Sequence, residues 1–299
     1  MKKYIFFLAI LSVTFSILYY KLNSPNHNTQ IDTWNKNLIS NVKSGGKGIK
    51  VAVIDSGINV EHEDLDGVVT KRYNAIDPNQ KITDDFGHGT AIAGIIAAQD
   101  NNIGIVGIAP EVEIYDIKVL DENGVGEVDD LIEALDYSMK NNVDIVNISF
   151  GFQLNDKKLK EKVKEVSQNN IIIIAASGNS YGLKGDYPAN YTEVFSIGSI
   201  NKDLKRSKFS SKGNIDFVQP GEDILSTNNT GDYSHFSGTS FAAAHATGVI
   251  SLLLSENTTL SLTEEFIISF ENWKNASYGK GLLTLRKKEF INEHKKYNN

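Results

Sequence analysis

Short runs dominated by Val and Ile recur along this chain, separated by longer segments with helical periodicity, and that pattern leaves few architectures open. Ile49–Ile54, Val112–Val119, Val143–Ser149, Ile171–Ile174 and Val194–Ile200 are the apolar runs. Between and after them, Asp129–Asn141 carries Leu131, Ile132, Leu135 and Met139 on one helical stripe. Leu159–Gln168 reads as a charged helix and Ser240–Leu254 as a strongly apolar one. A strand that is apolar on both faces must be covered on both, and the intervening helices supply the cover. The expectation is an α/β fold with three layers: a mostly parallel central sheet covered by helices on both faces. Functional groups in such sheets collect at the carboxyl ends of the strands.

Composition narrows the chemistry. The chain has no cysteine, which excludes disulfides, thiolate metal sites, Fe–S clusters and cysteine nucleophiles. A net charge of -7 argues against coating a nucleic-acid backbone, and no nucleic-acid partner is expected. At the N-terminus, Met1-Lys2-Lys3 precedes an uncharged stretch from Tyr4 to Tyr20. Residues 1–20 therefore read as a signal peptide, with Thr14-Phe15-Ser16 as a cleavage site, or as a membrane anchor through residues 4–20. Either way the following chain is exported to the extracellular face. Residues 21–45 are Asn-, Ser- and Lys-rich and read as a linker or short pro-segment, 46–290 as the main domain and 291–299 as a charged tail.

Four short motifs fall where this fold puts chemistry. Asp55-Ser56-Gly57 ends the first strand, without the glycine pattern a dinucleotide site needs. Gly87-His88-Gly89-Thr90 opens a run of small residues. Ser177-Gly178-Asn179 follows the Ile-rich strand, and Gly238-Thr239-Ser240 opens the apolar helix at its positive end. In this order they offer an orienting carboxylate, a general base, an oxyanion donor and a nucleophile. The base must take the hydroxyl proton near neutral pH, and the carboxylate must hold its tautomer.

With these residues the chain resembles the subtilisin-like serine proteases (subtilases) from about Gln30 to Leu285. VAVIDSGI (51–58), GHGTAIAG (87–94), NNIGIVGIAP (101–110), VDIVNISFG (143–151), AASGN (175–179), GTSFAAAHATG (238–248) and YGKGL (278–282) match family blocks in order and spacing. The resemblance implies a subtilisin-like fold, with Asp55, His88 and Ser240 as the catalytic triad and Asn179 as oxyanion donor. Ala244 departs from the usual Pro after the nucleophile, Ala91 from a frequent His and Phe241 from a frequent Met. None of these removes a catalytic group, so an inert binding module is not expected.

The resemblance also implies a calcium site, with Gln30, Asp64 and Asn101 as side-chain ligands and Gln99, Ile103 and Ile105 as carbonyl ligands. The peptide substrate is expected in extended form against Gly124-Val125-Gly126 and Ser149-Phe150-Gly151. Val128, Leu131 and Phe150 would line the pocket four residues before the scissile bond. Asp186 stands in the Asp186-Tyr187-Pro188-Ala189 block, where broad-specificity relatives carry Gly, at the floor of the primary specificity pocket. Phe152 would narrow that pocket's entrance. Cleavage after Arg, and less well after Lys, is expected from that carboxylate. The functional expectation is a monomeric exported serine endopeptidase in a processing role, of the type of the lantibiotic leader peptidases. The alternative is a broad-specificity degradative subtilase.

Overall fold

The computed structural model describes residues 29–42, 45–256, 260, 262–269, 276–287, 289 and 291. The membrane-anchor or signal segment and residues 292–299 of the tail lie outside the described residues. Of the expected tail, Ile291 is described, and it is fully buried.

Among the described residues, nine strands form one sheet in the order β10-β11-β7-β6-β5-β4-β1-β3-β2. They are β1 (Lys50–Asp55), β2 (Val69–Asn74), β3 (Glu113–Lys118), β4 (Ile145–Ile148), β5 (Ile172–Ala176), β6 (Val194–Ile200), β7 (Phe217–Pro220), β10 (Ile267–Ile268) and β11 (Leu282–Leu283). Every pairing is parallel except β10–β11. A separate antiparallel hairpin joins β8 (Ile224–Thr227) to β9 (Tyr233–Phe236). Among the described residues, the α-helices are α1 (Trp34–Ile39), α2 (His88–Ala97), α3 (Val128–Lys140), α4 (Lys157–Gln168) and α5 (Thr239–Glu256).

The period-2 geometry of β1 explains the three layers. Val51 and Val53 face one way, into a core shared with Ala91, Ile92 and Ile96 of α2 and Ala243, Val249 and Ile250 of α5. Ala52 and Ile54 face the other way, into a core shared with Leu131 and Leu135 of α3 and Leu159 and Val163 of α4. α3 and α4 keep a polar outer face. α5 is buried through Leu253, which is why its sequence is apolar on all sides. Its first turn delivers Ser240 to the carboxyl edge of the sheet.

Part of the segment expected as a linker is folded. α1 buries Leu38 and Ile39 completely, and Thr284 Oγ1 donates to the carbonyls of both residues (3.2 and 2.9 Å). Trp34 Nε1 donates to Asp223 O (3.2 Å), and Lys36 Nζ donates to Gly107 O (2.5 Å). Asn35 Nδ2 meets Nε2 of the fully buried His245 on α5 at 2.8 Å. The polar composition misleads because these side chains spend their donors on the domain rather than on water.

Candidate active site

β1 carries Asp55 to its last position, and the adjoining Ser56 N–H donates back to Asp55 Oδ1 (2.8 Å). His88 begins α2 after Gly87, whose φ of +87° is a left-handed conformation that suits glycine. Nδ1 of His88 sits 2.8 Å from Asp55 Oδ1 and 3.0 Å from Oδ2. Gly89 is required next to it: a Cβ there would lie 2.2 Å from the Gly57 carbonyl. Burial works to lower the His88 pKa, but the charge and hydrogen bond of Asp55, helped by Asp84, lift it above the ordinary histidine value. The acceptor carboxylate fixes the proton on Nδ1 and leaves Nε2 as the basic nitrogen.

Ser240 Oγ donates to the Ser149 carbonyl at 2.7 Å, while Ser149 Oγ meets Ser240 O at 3.2 Å. The hydroxyl is therefore parked on the wall of the cleft rather than on the imidazole; catalytic hydrogen bonds often tighten only around substrate. The ring of Phe241, the next residue, lies 5.4 Å from that of His88. Asn179 is held by its oxygen: Oδ1 accepts from Thr239 N (3.0 Å) and Thr239 Oγ1 (3.1 Å). With Oδ1 so engaged, the amide NH2 is the end left for a ligand, beside Gly238 in the cleft that Ser240 also lines.

Asp84 is the group the motifs did not single out. Its Oδ1 accepts from Ser56 Oγ (2.7 Å) and Gly87 N (2.7 Å), and its Oδ2 from Thr90 N (2.9 Å) and Thr90 Oγ1 (2.5 Å). Ser56 Oγ also accepts from Gly89 N (2.9 Å). One buried carboxylate thus ties the end of β1 to the first turn of α2, where a helix N-terminus welcomes negative charge. An Asp four residues before His88 was a visible capping signal. Asn229 was not legible, because it arrives from the β8–β9 hairpin; its Nδ2 donates to Asp84 O (2.8 Å).

A cleft of about 300 Å³ opens beside Ser240, lined among others by Ser149, Phe150, Gly151, Asn179 and Asp186. The Asp186 N–H donates to Ser177 O (3.1 Å), turning the residue inward. A Cβ on Gly178 (φ +101°) would fall 2.4 Å from Asp186 Oδ2, so glycine is needed for that carboxylate to fit. Desolvation raises the Asp186 pKa, and no cation pairs with it among the described residues. Gln153 lines this cleft, while Phe152 packs edge-to-face on Phe150 at 5.9 Å and exchanges backbone hydrogen bonds with Tyr187. Gly124 and Gly126 lie on an exposed turn closed by Asp121, and a Cβ on Gly126 would touch Phe150 at 3.7 Å. Val128 is partly buried, and Leu131 is fully buried in the core beneath.

The six expected calcium ligands gather around one loop. Asp64 is fully buried; Oδ2 accepts from Ile105 N (2.9 Å) and Tyr233 OH (2.8 Å), and Oδ1 accepts from Asn101 Nδ2 (3.1 Å). Gln30 Nε2 donates to Ile103 O (2.9 Å), and Gln30 Oε1 accepts from Asn102 N (3.2 Å). Gln99 N donates to Asp64 O (3.0 Å). Burial raises the Asp64 pKa against these neutral donors and the nearby His62. One carboxylate, two side-chain amides and three carbonyls make an all-oxygen set of the size calcium takes. A buried carboxylate held only by neutral donors fits a divalent cation.

Comparison with known proteins bears on most of the chain. The Subtilase family matches residues 46–273. An intracellular serine protease of Paenibacillus polymyxa is 40% identical over 222 residues, covering 70% of this chain and 67% of that protein. Minor extracellular protease Epr of Bacillus subtilis is 40% identical over 225 residues, covering 74% of this chain and 34% of its own. Subtilisin E of Bacillus subtilis is 36% identical over 253 residues, covering 81% of this chain and 65% of the relative. The chain therefore spans from a third to two thirds of the length of these relatives. The solved structure of a cold adapted subtilisin-like serine proteinase superposes with a TM-score of 0.76 at 27% identity, covering 87% of this chain and 100% of the other.

Proposed function

The chain belongs to the subtilase family of serine endopeptidases, and on that premise we propose that it is an exported processing protease cutting after Arg, and less well after Lys. In this reading Ser240 Oγ turns from the Ser149 carbonyl to His88 Nε2, gives up its proton and attacks the scissile carbonyl. Asp55 keeps the Nδ1 proton in place and stabilises the imidazolium that forms. The Asn179 side chain and the Ser240 N–H receive the oxyanion. His88 then protonates the departing amine, an acyl group remains on Ser240, and water activated by the same imidazole releases it.

The observation that carries the specificity is the Asp186 carboxylate, half-buried in the cleft beside Ser240 without a cationic partner. A guanidinium relieves that desolvated charge through a bidentate fork, whereas an apolar side chain leaves it buried and unpaired. Gly124–Gly126 and Ser149–Gly151 offer backbone edges for the residues before the cut, with Val128 and Phe150 as an apolar subsite; the expected third member, Leu131, is fully buried and packs beneath them instead. By the family resemblance, dibasic-processing relatives carry an acid after the catalytic Asp where this chain has Ser56, so a strict dibasic requirement is not part of the proposal. The relatives include intracellular and extracellular proteins, so the export reading rests on Lys2, Lys3 and the uncharged Tyr4–Tyr20 run. The proposal also holds that Gln30, Asp64, Gln99, Asn101, Ile103 and Ile105 bind calcium, which when bound supplies a structural cross-link between the N-terminal arm and the loop after α2. The specificity is tested by comparing kcat/KM for matched peptides with Arg, Lys, Phe or Leu before the cleaved bond, in the native chain and in Asp186→Gly. Arg first in the native chain and lost in the variant supports it. A lead for Phe or Leu, or an Arg preference that survives Asp186→Gly, overturns it.

A further inference from the structure

Lys118 is a buried cation that the catalytic steps above do not use. It stands at the carboxyl end of β3, paired in register with Asp55 of β1, and is 8% exposed. Alternation along β3 puts Tyr115 and Ile117 in the core with α3 and α4, and Ile114 in the core with α2 and α5. Asp116 and Lys118 therefore share the face on which Asp55 meets His88. Asp116 is paired with Arg72 of β2 (2.8 Å). Lys118 has no carboxylate within salt-bridge distance among the described residues; its Nζ donates instead to the Ser56 carbonyl at 2.6 Å. A buried ammonium given only a peptide oxygen is costly unless negative charge stands close by. The carboxylate beside it in register is the catalytic Asp55.

Ser56 is the joint on which this contact acts. It is fully buried, and each of its polar atoms holds part of the site. Its N–H fixes Asp55 Oδ1 (2.8 Å), and its Oγ donates to Asp84 (2.7 Å) and accepts from Gly89 N (2.9 Å), next to His88. Its carbonyl takes the Lys118 ammonium. The same charge reaches Asp121, which sits below the ordinary carboxylate value chiefly because the Val125 N–H binds it, with Lys118 adding to that. Asp121 closes the turn that carries Gly124 and Gly126.

We propose that Lys118 is a positioning residue for the catalytic base: through Ser56 it fixes the Asp55 carboxylate, and its charge counters those of Asp55 and Asp84 at His88. The proposal rests on the peptidase reading. The other charges around α2 are already engaged. Asp85, exposed on the lead-in loop, accepts from Thr83 Oγ1 (2.8 Å), and Asp116 has Arg72. α5 brings the Phe241 ring against His88, and its own His245 is kept neutral by burial. The β8–β9 hairpin reaches Asp84 through the neutral Asn229, while its His235 pairs with Asp223 (2.8 Å) and its Tyr233 donates to Asp64. Glu63 and Asp64 belong to the far end of α2, by Gln99 and Asn101.

Three variants separate the charge from the contact. Lys118→Met loses both, Lys118→Gln keeps an N–H donor without the charge, and Lys118→Arg keeps both. His88 acts as base when neutral, so withdrawing a nearby positive charge raises its pKa and moves the acid limb of kcat/KM to higher pH. A rise of roughly 0.5–1 pH unit is expected in the Met and Gln variants, with the native limb retained in Arg. On the plateau kcat is expected to fall about ten- to hundredfold in Met and less in Gln, with KM within about twofold of native. The Nδ1 proton of His88, read by NMR without substrate, is expected to change its resonance in Met and to keep it in Arg. A purely structural role would lower Tm and leave the limb and the resonance in place, and that result overturns the proposal. So does a loss of kcat/KM carried by KM alone. Should Lys118→Met fail to fold, the limb in Lys118→Gln decides. The resonance is read without turnover, so the two readings fail separately: absence of hydrolysis by the native chain refutes the peptidase, and an unmoved Nδ1 proton refutes the positioning role.

Discussion

Asp84 gives the sharpest separation between holding the site together and tuning it. Replacing it by Asn keeps the shape but turns one acceptor into a donor. If the new amide nitrogen faces Gly87 N and Ser56 Oγ, the Gly87 N–H loses its acceptor; if it faces Thr90, the Thr90 N–H does. Either arrangement leaves one buried backbone donor unsatisfied, which costs about 1–3 kcal/mol. Asp84→Ala strands both N–H groups and two hydroxyls, and about 3–6 kcal/mol is expected. For a domain of this size each kcal/mol lowers Tm by roughly 2–4 °C, so Asn should cost about 2–12 °C and Ala about 6–24 °C. The charge effect is separate. His88 must be neutral to act as base, and its pKa is lifted by Asp55 and, further, by Asp84; removing the Asp84 charge moves the acid limb of kcat/KM to lower pH. Of the other charges behind the site, Lys118 holds Ser56 O, while burial lifts the Asp116 carboxyl, paired with Arg72, to about 7 and the Asp84 charge adds to that rise, so the substitution also lowers Asp116. Scanning calorimetry and a pH–rate profile of Asp84→Asn read both effects. A variant with native Tm and a native acid limb would refute the assignment of Asp84 as the tie between the two catalytic elements.

Three further outcomes follow. Asn179→Ala should lower kcat by about 10²–10³ with little change in KM, the cost of removing such a donor in subtilisin; a loss under about threefold would remove Asn179 from the oxyanion site. Calcium at about a hundred times its Kd should stabilise by about 2.7 kcal/mol, so chelation should lower Tm, and Asp64→Asn should abolish that response; melting curves indifferent to calcium and chelator would eliminate the site. Leu38→Ala should cost about 2–5 kcal/mol because the side chain is fully buried against the β10–β11–β7 end of the sheet; a loss below about 0.5 kcal/mol would mean the arm is dispensable.

The legible parts of the fold were those whose burial leaves a one-dimensional trace. β1, β4, β5 and β6 are covered on both faces, so their Val- and Ile-rich runs could not be mistaken for surface. β2 at the sheet edge sets two consecutive exposed residues, Thr70 and Lys71, among half-buried ones and leaves no such trace. β8 and β9 are four residues each and rich in Ser and Thr, and their hairpin matters through what it carries: Asn229 to Asp84, and Tyr233 to Asp64. α1 is too short to show a period, and tertiary hydrogen bonds from Trp34, Asn35 and Lys36 hold it. Asp55, His88, Asn179 and Ser240 could be singled out because strand ends and helix starts are marked by glycines and caps. The rotamer that parks Ser240 on Ser149, and the cleft that gives Asp186 its environment, depend on distances no spacing encodes.

The central claim is that Ser240 is a nucleophile activated by His88. Reaction of the purified chain with a fluorophosphonate, followed by peptide mass mapping, tests it most directly. A single adduct on Ser240, lost in Ser240→Ala and slowed by at least about 10³ in His88→Ala, is the predicted result. An adduct elsewhere, or labelling of Ser240 at an unchanged rate without His88, would contradict it.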